Sequence, residues 1–309
     1  MRKVSFLLFC SMFAGLSIWL EFSSLSFSTQ LFWSILLIML LGIPHGAIDH
    51  VISREKNENF STLEFYTFYF GMMAVYLLAW IYFSSLSLIF FLVMSAFHFG
   101  QSQFSDLEKI TSNESRFISL AWGISVITGL LTYNYAEVIG IFQSSEDLKE
   151  IVLIFDKNVI TTLLTISSLT AVVSILWLGY SKKISVDRMT IEMLTLILIH
   201  TCFYTLPIII GFTIYFTTIH SLTVMSEEYS FLKMRRNNFS VVKFINLLLP
   251  FSLLSIFGSI LIVIISSYGA LGVSNVLLIF ILLSIVTLPH SIVMDGFYDK
   301  FYNKNSPTP

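Results

Sequence analysis

The sequence predicts an all-α, polytopic membrane helix bundle with about ten transmembrane helices. Of its 309 residues, 56% are hydrophobic and only 12% are charged, whereas a soluble domain carries about 25% charged residues. The mean hydropathy of the chain is +0.83. Apolar runs of about 20 residues, the length that crosses the hydrocarbon layer as a helix, recur along the whole chain.

Short polar segments divide the apolar runs into separate spans. The first run follows Arg2 and Lys3 as in a signal peptide, but no small-residue cleavage site comes after it, so we expect a retained helix. Ser84–Ser85 and Pro207 each separate two neighbouring runs, and the acidic segment 134–158 is expected to hold a short surface helix. The spans are predicted near 4–20, 31–49, 64–83, 85–100, 117–133, 159–180, 189–206, 208–225, 242–267 and 274–297.

The positions of Lys and Arg predict the orientation of the bundle. With a cytoplasmic N-terminus, ten spans place 15 of the 17 basic residues on the inner side and only Lys149 and Lys157 on the outer side. Because short cytoplasmic loops carry the excess of basic residues, we expect both termini in the cytoplasm and a multi-pass protein of the cell (inner) membrane. Residues 1–300 are expected to form one transmembrane domain, and residues 301–309 a disordered tail.

The net charge and the cysteines exclude several classes of protein. A net charge of −2 without a basic stripe argues against a nucleic-acid partner. Cys10 and Cys202 lie far apart in apolar runs, so we interpret them as buried apolar residues and not as a disulfide framework or zinc motif. Membrane lipid is the expected surrounding of the chain.

Four of the six histidines are predicted to lie at one depth in the membrane. Each follows the start of an outside-to-inside span by 12 to 16 residues, so a rise of 1.5 Å per residue places the imidazoles about 18–24 Å from the outer face. His50 and His200 fall at other depths and are expected to be interfacial or packing residues. The four residues at the shared depth are His45, His98, His220 and His290.

The shared depth of these histidines predicts a metal centre. Imidazoles that meet inside a bundle need polar partners, and a transition metal satisfies several of them at once. Asp49, which follows His45 by four residues, and Asp295, which follows His290 by five, are expected to hydrogen-bond the ligands and balance the charge. For any single histidine the alternative is an ordinary hydrogen-bonded core residue.

Four motifs together resemble the Brp/Blh family of bacterial and archaeal membrane β-carotene 15,15′-dioxygenases. The motifs are GIPHGAIDH, SAFHFG, GFTIYFTTIHS and TLPHSIVMD, which run in this order from Gly42 to Asp295. The resemblance implies a ferrous iron (Fe²⁺) held by histidines, and cleavage of β-carotene by O₂ into two molecules of retinal for a rhodopsin-type partner. It places the iron ligands on His45, His98 and His220.

The resemblance fails at the position of the fourth ligand. Family members carry a second histidine four residues after the one that corresponds to His220, but this chain has Val224 there. Three interpretations remain open. Three histidines suffice, since mononuclear oxygenases work with three protein ligands; His290 completes the set; or the chain is a diverged paralogue that acts on another polyene or cleaves none.

The same motifs contain aromatic residues that the resemblance places near the substrate. Phe97 and Phe99 flank His98, and Tyr215 and Phe216 precede His220 by about one helical turn. We expect these side chains to line the polyene pocket, although simple helix packing explains each of them equally well. A different class of function is a membrane carrier for carotenoid or retinal, or an assembly factor, since intramembrane histidines also occur in transporters.

Overall fold

The computed structural model describes residues 2–22, 25–56, 61–107, 110–144, 146–269 and 273–302. Within these ranges the chain consists of helices joined by short turns, without a β-strand. The prediction of an all-α bundle is therefore confirmed. The last helix ends at Tyr302, and residues 303–309 of the predicted tail lie outside the described residues.

The bundle contains thirteen α-helices within the described residues. Regular α-helix is interrupted in three places, by π turns at Ile38–Gly42 and Tyr215–Ser221 and by short 3-10 helices at Ile43–Gly46 and Glu146–Ile154. The helices are α1 (Arg2–Phe22), α2 (Phe27–Leu37), α3 (Asp49–Lys56), α4 (Thr62–Tyr82), α5 (Ser84–Phe104), α6 (Ser112–Tyr133), α7 (Tyr135–Gln143), α8 (Lys157–Tyr180), α9 (Val186–Thr205), α10 (Ile208–Ile214), α11 (Leu222–Arg235), α12 (Val241–Ser267) and α13 (Asn275–Tyr302).

The polar residues between the apolar runs set the helix ends. Ser61 and Thr111 begin α4 and α6 with capping boxes, in which the hydroxyl and a glutamate three residues later satisfy two free backbone N–H groups. The predicted breaks at residues 84–85 and at Pro207 are confirmed, since α5 begins at Ser84 and Pro207 stands immediately before α10.

Nine helical segments of the described chain are long and apolar enough to cross a membrane. The seventh predicted span, 189–206, corresponds to α9, which is not among the nine because Asp187, Arg188 and Glu192 make its first turns polar. It still runs the length of the bundle, from the Arg188–Asp106 ion pair to a hydrogen bond between Asn134 and the Phe203 carbonyl. The architecture is that of a multi-pass membrane protein.

The segment 134–158 holds a short helix, as predicted, and one face of the segment packs against the bundle. The segment forms α7 and the 3-10 helix Glu146–Ile154, and Val138, Phe142, Leu148 and Ile151 pack inside an apolar cluster with Trp80 of α4.

Close contact between α5 and α6 fixes the centre of the bundle. A Cβ atom on Gly100 would overlap the backbone of Ser119, and one on Gly123 would overlap the backbone of Ala96. Glycine is needed at both positions because no side chain fits between the two helices. Small residues permit such close approach in membrane bundles.

Ion pairs gather at one end of the bundle, which we call the inner end. They join segments that the distribution of Lys and Arg assigns to the cytoplasmic side. Two segments on the same side must be separated by an even number of membrane crossings, and the ion pairs agree with this. The pairs are Lys183–Glu114 (2.6 Å), Arg236–Glu55 (2.7 Å), Arg188–Asp106 (3.0 Å) and Arg116–Asp299 (3.4 Å).

Candidate metal centre

Two of the four histidines that are predicted to share one depth lie at breaks in regular helix. The chain leaves α2 through a π turn and a 3-10 helix that contains Pro44 and His45, and proline supports such a break because it donates no backbone hydrogen bond. His220 lies within the second π turn. π turns are rare and occur mostly at functional sites, because the extra residue redirects the neighbouring side chains.

The structure brings these two histidines together with His98 of α5 and His290 of α13. The imidazole of His45 lies 4.7 Å from that of His290, 5.2 Å from that of His220 and 6.4 Å from that of His98, measured between ring centroids. His98 lies 4.7 Å from His220 and 4.9 Å from His290. We call these four residues the histidine cluster.

Three members of the histidine cluster could hold a metal ion. One ring nitrogen from each of His45, His98 and His220 lies within 4.8 Å of the others. Two nitrogens that bind one ion at about 2.1 Å are at most about 4.2 Å apart, so the imidazoles are already close to the spacing of ligands. His98 and His220 are fully buried, and His45 is half-buried.

Three of the four imidazoles in the cluster have one ring nitrogen that contacts a polar protein group, whereas other ring nitrogens have no such partner in the described part of the chain. Nδ1 of His220 shares a hydrogen bond with the Ser102 hydroxyl (3.0 Å), and Nδ1 of His290 bonds the Asp49 carboxylate (2.9 Å). Nδ1 of His45 faces the Gly42 carbonyl. Among the described residues, both ring nitrogens of His98 and Nε2 of His220 and His290 are buried without a hydrogen-bond partner. Buried polar atoms without partners are costly, and a cation would satisfy one nitrogen of each ring.

Only one of the two predicted carboxylates supports the cluster. Asp49 is buried and accepts a second hydrogen bond from the Tyr69 hydroxyl (3.0 Å). Asp295, in contrast to the prediction, accepts from the side-chain amide of Gln101 (2.5 Å) and lies 3.6 Å from Arg116. Asp295 follows His290 by five residues, so its side chain lies on a different face of α13, beside Gln101 and Arg116.

Comparison with known families agrees with the geometry of the site. The family model described as beta-carotene 15,15′-dioxygenase matches residues 36–298, which is most of the chain and includes all four histidines of the cluster. The chain belongs to this family. No curated protein and no solved structure matches it.

Two of the four predicted pocket aromatics touch the histidine cluster of this dioxygenase family member. The ring of Phe99 lies 4.7 Å from that of His220, and the ring of Phe216 lies 5.5 Å from those of His45 and His220. Tyr215 is buried one layer farther out, against Phe99 (5.5 Å).

The remaining aromatic, Phe97, is half-buried on α5. It makes no ring contact with a histidine among the described residues, so the prediction that it flanks the site is not supported by the geometry. Its neighbour Phe99 turns inward because successive residues of a helix point about 100° apart.

Val224, at the position where the sequence resemblance implies a fourth ligand, is fully buried. It packs in an apolar cluster with Ile48, Ile52 and Met294, and its side chain has no donor atom for a metal. A further imidazole comes to the cluster from a different helix, since His290 of α13 lies 4.7 Å from His45.

The two histidines assigned to other roles lie outside the cluster. His50 packs against Phe251, with ring centroids 4.4 Å apart, near the surface. His200 hydrogen-bonds Ser125 (2.9 Å) in the outer part of the bundle. Both placements agree with the interpretation of these residues as packing or interfacial groups.

Sequence reasoning missed several polar residues around the cluster. Ser102 follows His98 by four residues, so the helical spacing alone could have identified it as a neighbour. Tyr69 reaches Asp49 from α4, a contact that no local pattern predicts. Glu228 on α11 is fully buried, and its carboxylate oxygens have no hydrogen-bond partner among the described residues. The span predicted at 208–225 ended too early to place Glu228 inside the bundle, since α11 continues to Arg235.

Proposed function

We propose that the chain is an iron-dependent dioxygenase that cleaves the central double bond of β-carotene, or of a related carotenoid, to give retinal. One observation carries the proposal. Four imidazoles from four separate segments converge, and the three buried ones, His98, His220 and His290, carry ring nitrogens without a hydrogen-bond partner among the described residues, in a chain of the β-carotene 15,15′-dioxygenase family.

The donor set fits ferrous iron. His45, His98 and His220 would bind the ion through neutral imidazoles, and His290 would supply the fourth nitrogen in place of the histidine that Val224 replaces. Imidazole is a ligand that suits iron as well as zinc and copper. The hydrogen bond between Ser102 and His220 and the bond that Nδ1–H of His290 donates to Asp49 would fix the two rings, and the Asp49 carboxylate would offset part of the ion's charge.

The proposed reaction needs O₂ and no further reductant. The central carbon–carbon double bond is broken, each of its two carbons gains one oxygen atom from O₂, and β-carotene yields two molecules of retinal. Iron, when bound, supplies the oxygen chemistry, and the helices supply orientation and an apolar surrounding.

The residues around the cluster would position the polyene and exclude water. Phe99 and Phe216 form an apolar wall beside His220. His98, His220 and His290 are sealed inside the bundle, whereas His45 and Phe216 are half-buried. The substrate is therefore expected on the His45–Phe216 side, where β-carotene from the surrounding lipid can approach.

We further propose that the protein acts in the cell membrane with both termini in the cytoplasm. The gathering of ion pairs at the inner end supports this orientation, because basic residues are concentrated on the cytoplasmic side of membrane proteins. Retinal released into the lipid would be available to a retinal-binding rhodopsin.

Expression in β-carotene-producing bacteria tests the proposal. We expect the chain to bleach the orange cells and to form retinal in proportion to the β-carotene lost. Purified protein should contain about one iron per chain, and reconstitution of the metal-free protein with ferrous iron should restore activity, whereas zinc should not. His45→Ala should abolish retinal formation and lower bound iron.

The matched control is His50→Ala, which removes an imidazole from the same segment. His50 lies outside the cluster, against Phe251, so this variant should keep its iron and its activity. Normal retinal yield from His45→Ala, or equal activity with zinc, would refute an iron centre at these histidines. Carotenoid bound without any cleavage would favour the carrier.

A further inference from the structure

An apolar groove of about 500 Å³ lies between α1, α2 and α10. The groove lies farther from the inner end than the histidine cluster does. Helix α10, which lines it, begins at the opposite end of the bundle, where the Ile208 N–H donates to Glu137. Trp19 and Trp33, each about half exposed, flank its mouth. The groove therefore opens sideways, toward lipid.

The inner end of the groove leads toward the histidine cluster along two separate segments. Leu37 lines the groove and precedes His45 by eight residues, and Ile214 lines it and precedes His220 by six. At about 1.5 Å per helical residue, the groove begins roughly 9–12 Å from the imidazoles on both segments. Along α1 it continues from Ser11 to Trp19, roughly another 12 Å by the same measure.

The groove offers an apolar surface to a ligand. The hydroxyls of Ser11 and Thr213 donate to the carbonyls of Leu7 and Ile209, one turn earlier in their own helices. The Gln30 amide donates to the carbonyl of Leu25 (3.1 Å). Because these donors are engaged with the backbone, a hydrocarbon suits the groove better than a polar molecule does.

Phe216 lies between the groove and the histidine cluster. Its ring stacks on that of Phe212 (5.4 Å) and meets the edge of His45 (5.5 Å). A Cβ atom on Gly42 would come within 2.7 Å of the Phe216 ring, so glycine at this position allows the ring to lie across the π turn. Phe216 and His45 are both half-buried, which makes this side the accessible face of the cluster.

We propose that the groove binds one arm of the polyene, with the end ring between α1 and α2 and the reacting double bond beside His45 and Phe216. The inference rests on the proposed function and adds the location of the substrate. Nine bonds separate the central double bond of a carotenoid from its end ring, or roughly 11 Å at the advance per bond of an extended chain. This length matches the distance from the histidines to the inner end of the groove.

Gly15 provides a test that spares the fold. It lines the groove, and a Cβ atom added to it would meet no atom within 4 Å, so Gly15→Phe places a ring at the groove and its Cβ atom overlaps no protein atom. Gly71→Phe on α4 is the matched control, because Gly71 is equally open and exposed but lies outside the groove. Both variants should retain wild-type iron content and melting temperature.

Two measurements distinguish the outcomes. The first is β-carotene binding to the purified chain, followed by quenching of tryptophan fluorescence, which should weaken by about tenfold in Gly15→Phe and stay unchanged in Gly71→Phe. The second is the rate of retinal formation, which should fall in parallel. Trp19→Phe and Trp33→Phe should each remove part of the quenching, since these two indoles flank the bound ring.

The groove inference is overturned if Gly15→Phe binds and cleaves β-carotene like the wild-type chain, in which case the groove holds only lipid. Its failure is separable from failure of the proposed function. If Gly15→Phe weakens β-carotene binding but the wild-type chain forms no retinal, the proposed enzyme activity is refuted and the groove inference is supported. If Gly15→Phe forms retinal at the wild-type rate, the groove inference is refuted and the proposed activity is supported.

Discussion

The His200 site and the histidine cluster contain the same chemical group in two different settings. His200, like His220, bonds a serine hydroxyl through one ring nitrogen, and its other ring nitrogen is buried without a partner among the described residues. The ring of His200 packs over Gly129, where an added Cβ atom would come within 2.7 Å of Nδ1. His220 lies instead beside two other imidazoles, those of His98 and His45.

The difference shows that a buried histidine in a membrane bundle is not by itself evidence for a metal. The hydrogen bond to serine fixes the ring in both places. What distinguishes the cluster is that ring nitrogens from three different segments, those of His45, His98 and His220, lie close enough together for one cation to bind a nitrogen from each.

Removal of a cluster histidine should have the largest effect. We expect His98→Ala and His220→Ala to lose bound iron and retinal formation by more than the about 10–100-fold that loss of an outer hydrogen-bond partner costs. His200→Ala should retain both, because Ser125 keeps its other partner, Ser168 (2.7 Å). Iron content and retinal yield measure the contrast. Equal losses in all three variants would show that the two settings do not differ.

Loss of the charge that holds His290 should have an intermediate effect. Asp49→Asn keeps the shape of the side chain but removes its negative charge beside His290, so we expect about 10–100-fold weaker binding of ferrous iron. Asp295→Asn, which changes a carboxylate bonded to Gln101 and Arg116, should leave the affinity unchanged. Titration of the metal-free variants with ferrous iron measures both. A loss confined to Asp295→Asn would reverse the assignment.

The smallest effect is expected from the serines that orient the two imidazoles. Ser102→Ala frees Nδ1 of His220, and we expect about tenfold weaker iron binding. Ser125→Ala removes the corresponding bond of His200 and should not alter iron binding, although it costs about 0.5–1.5 kcal/mol of stability. Iron affinity and thermal unfolding of the two variants separate the roles. Unchanged affinity in Ser102→Ala would mean that other contacts fix His220.

Much of the fold could be predicted because lipid imposes a strict length and composition on each crossing. The breaks at Ser84 and Pro207 followed from local residues and are confirmed. The ends of spans that continue into protein were less predictable. Helix α11 extends to Arg235. Its buried glutamates lie among other helices and not in lipid, so the low hydropathy of this segment does not mark the end of the helix.

The candidate site was predictable in its members but not in its connections. The shared depth of the histidines follows from counting residues along straight helices, and the structure places these residues together. Their role as iron ligands stays a prediction. Asp49 and Asp295 follow their histidines by four and five residues, yet only Asp49 bonds the cluster, because one residue rotates a helical side chain by about 100°.

The sequence by itself determined that the chain crosses a membrane as helices, which segments cross, and which imidazoles lie at one level. It could do so because burial in lipid acts on each segment separately, through its length and polarity. Only the tertiary structure decided that His290 bonds Asp49, that Tyr69 and Ser102 hold Asp49 and His220, and that a groove leads inward from Gly15. These contacts depend on which faces of distant helices pack together, and no local pattern fixes that choice.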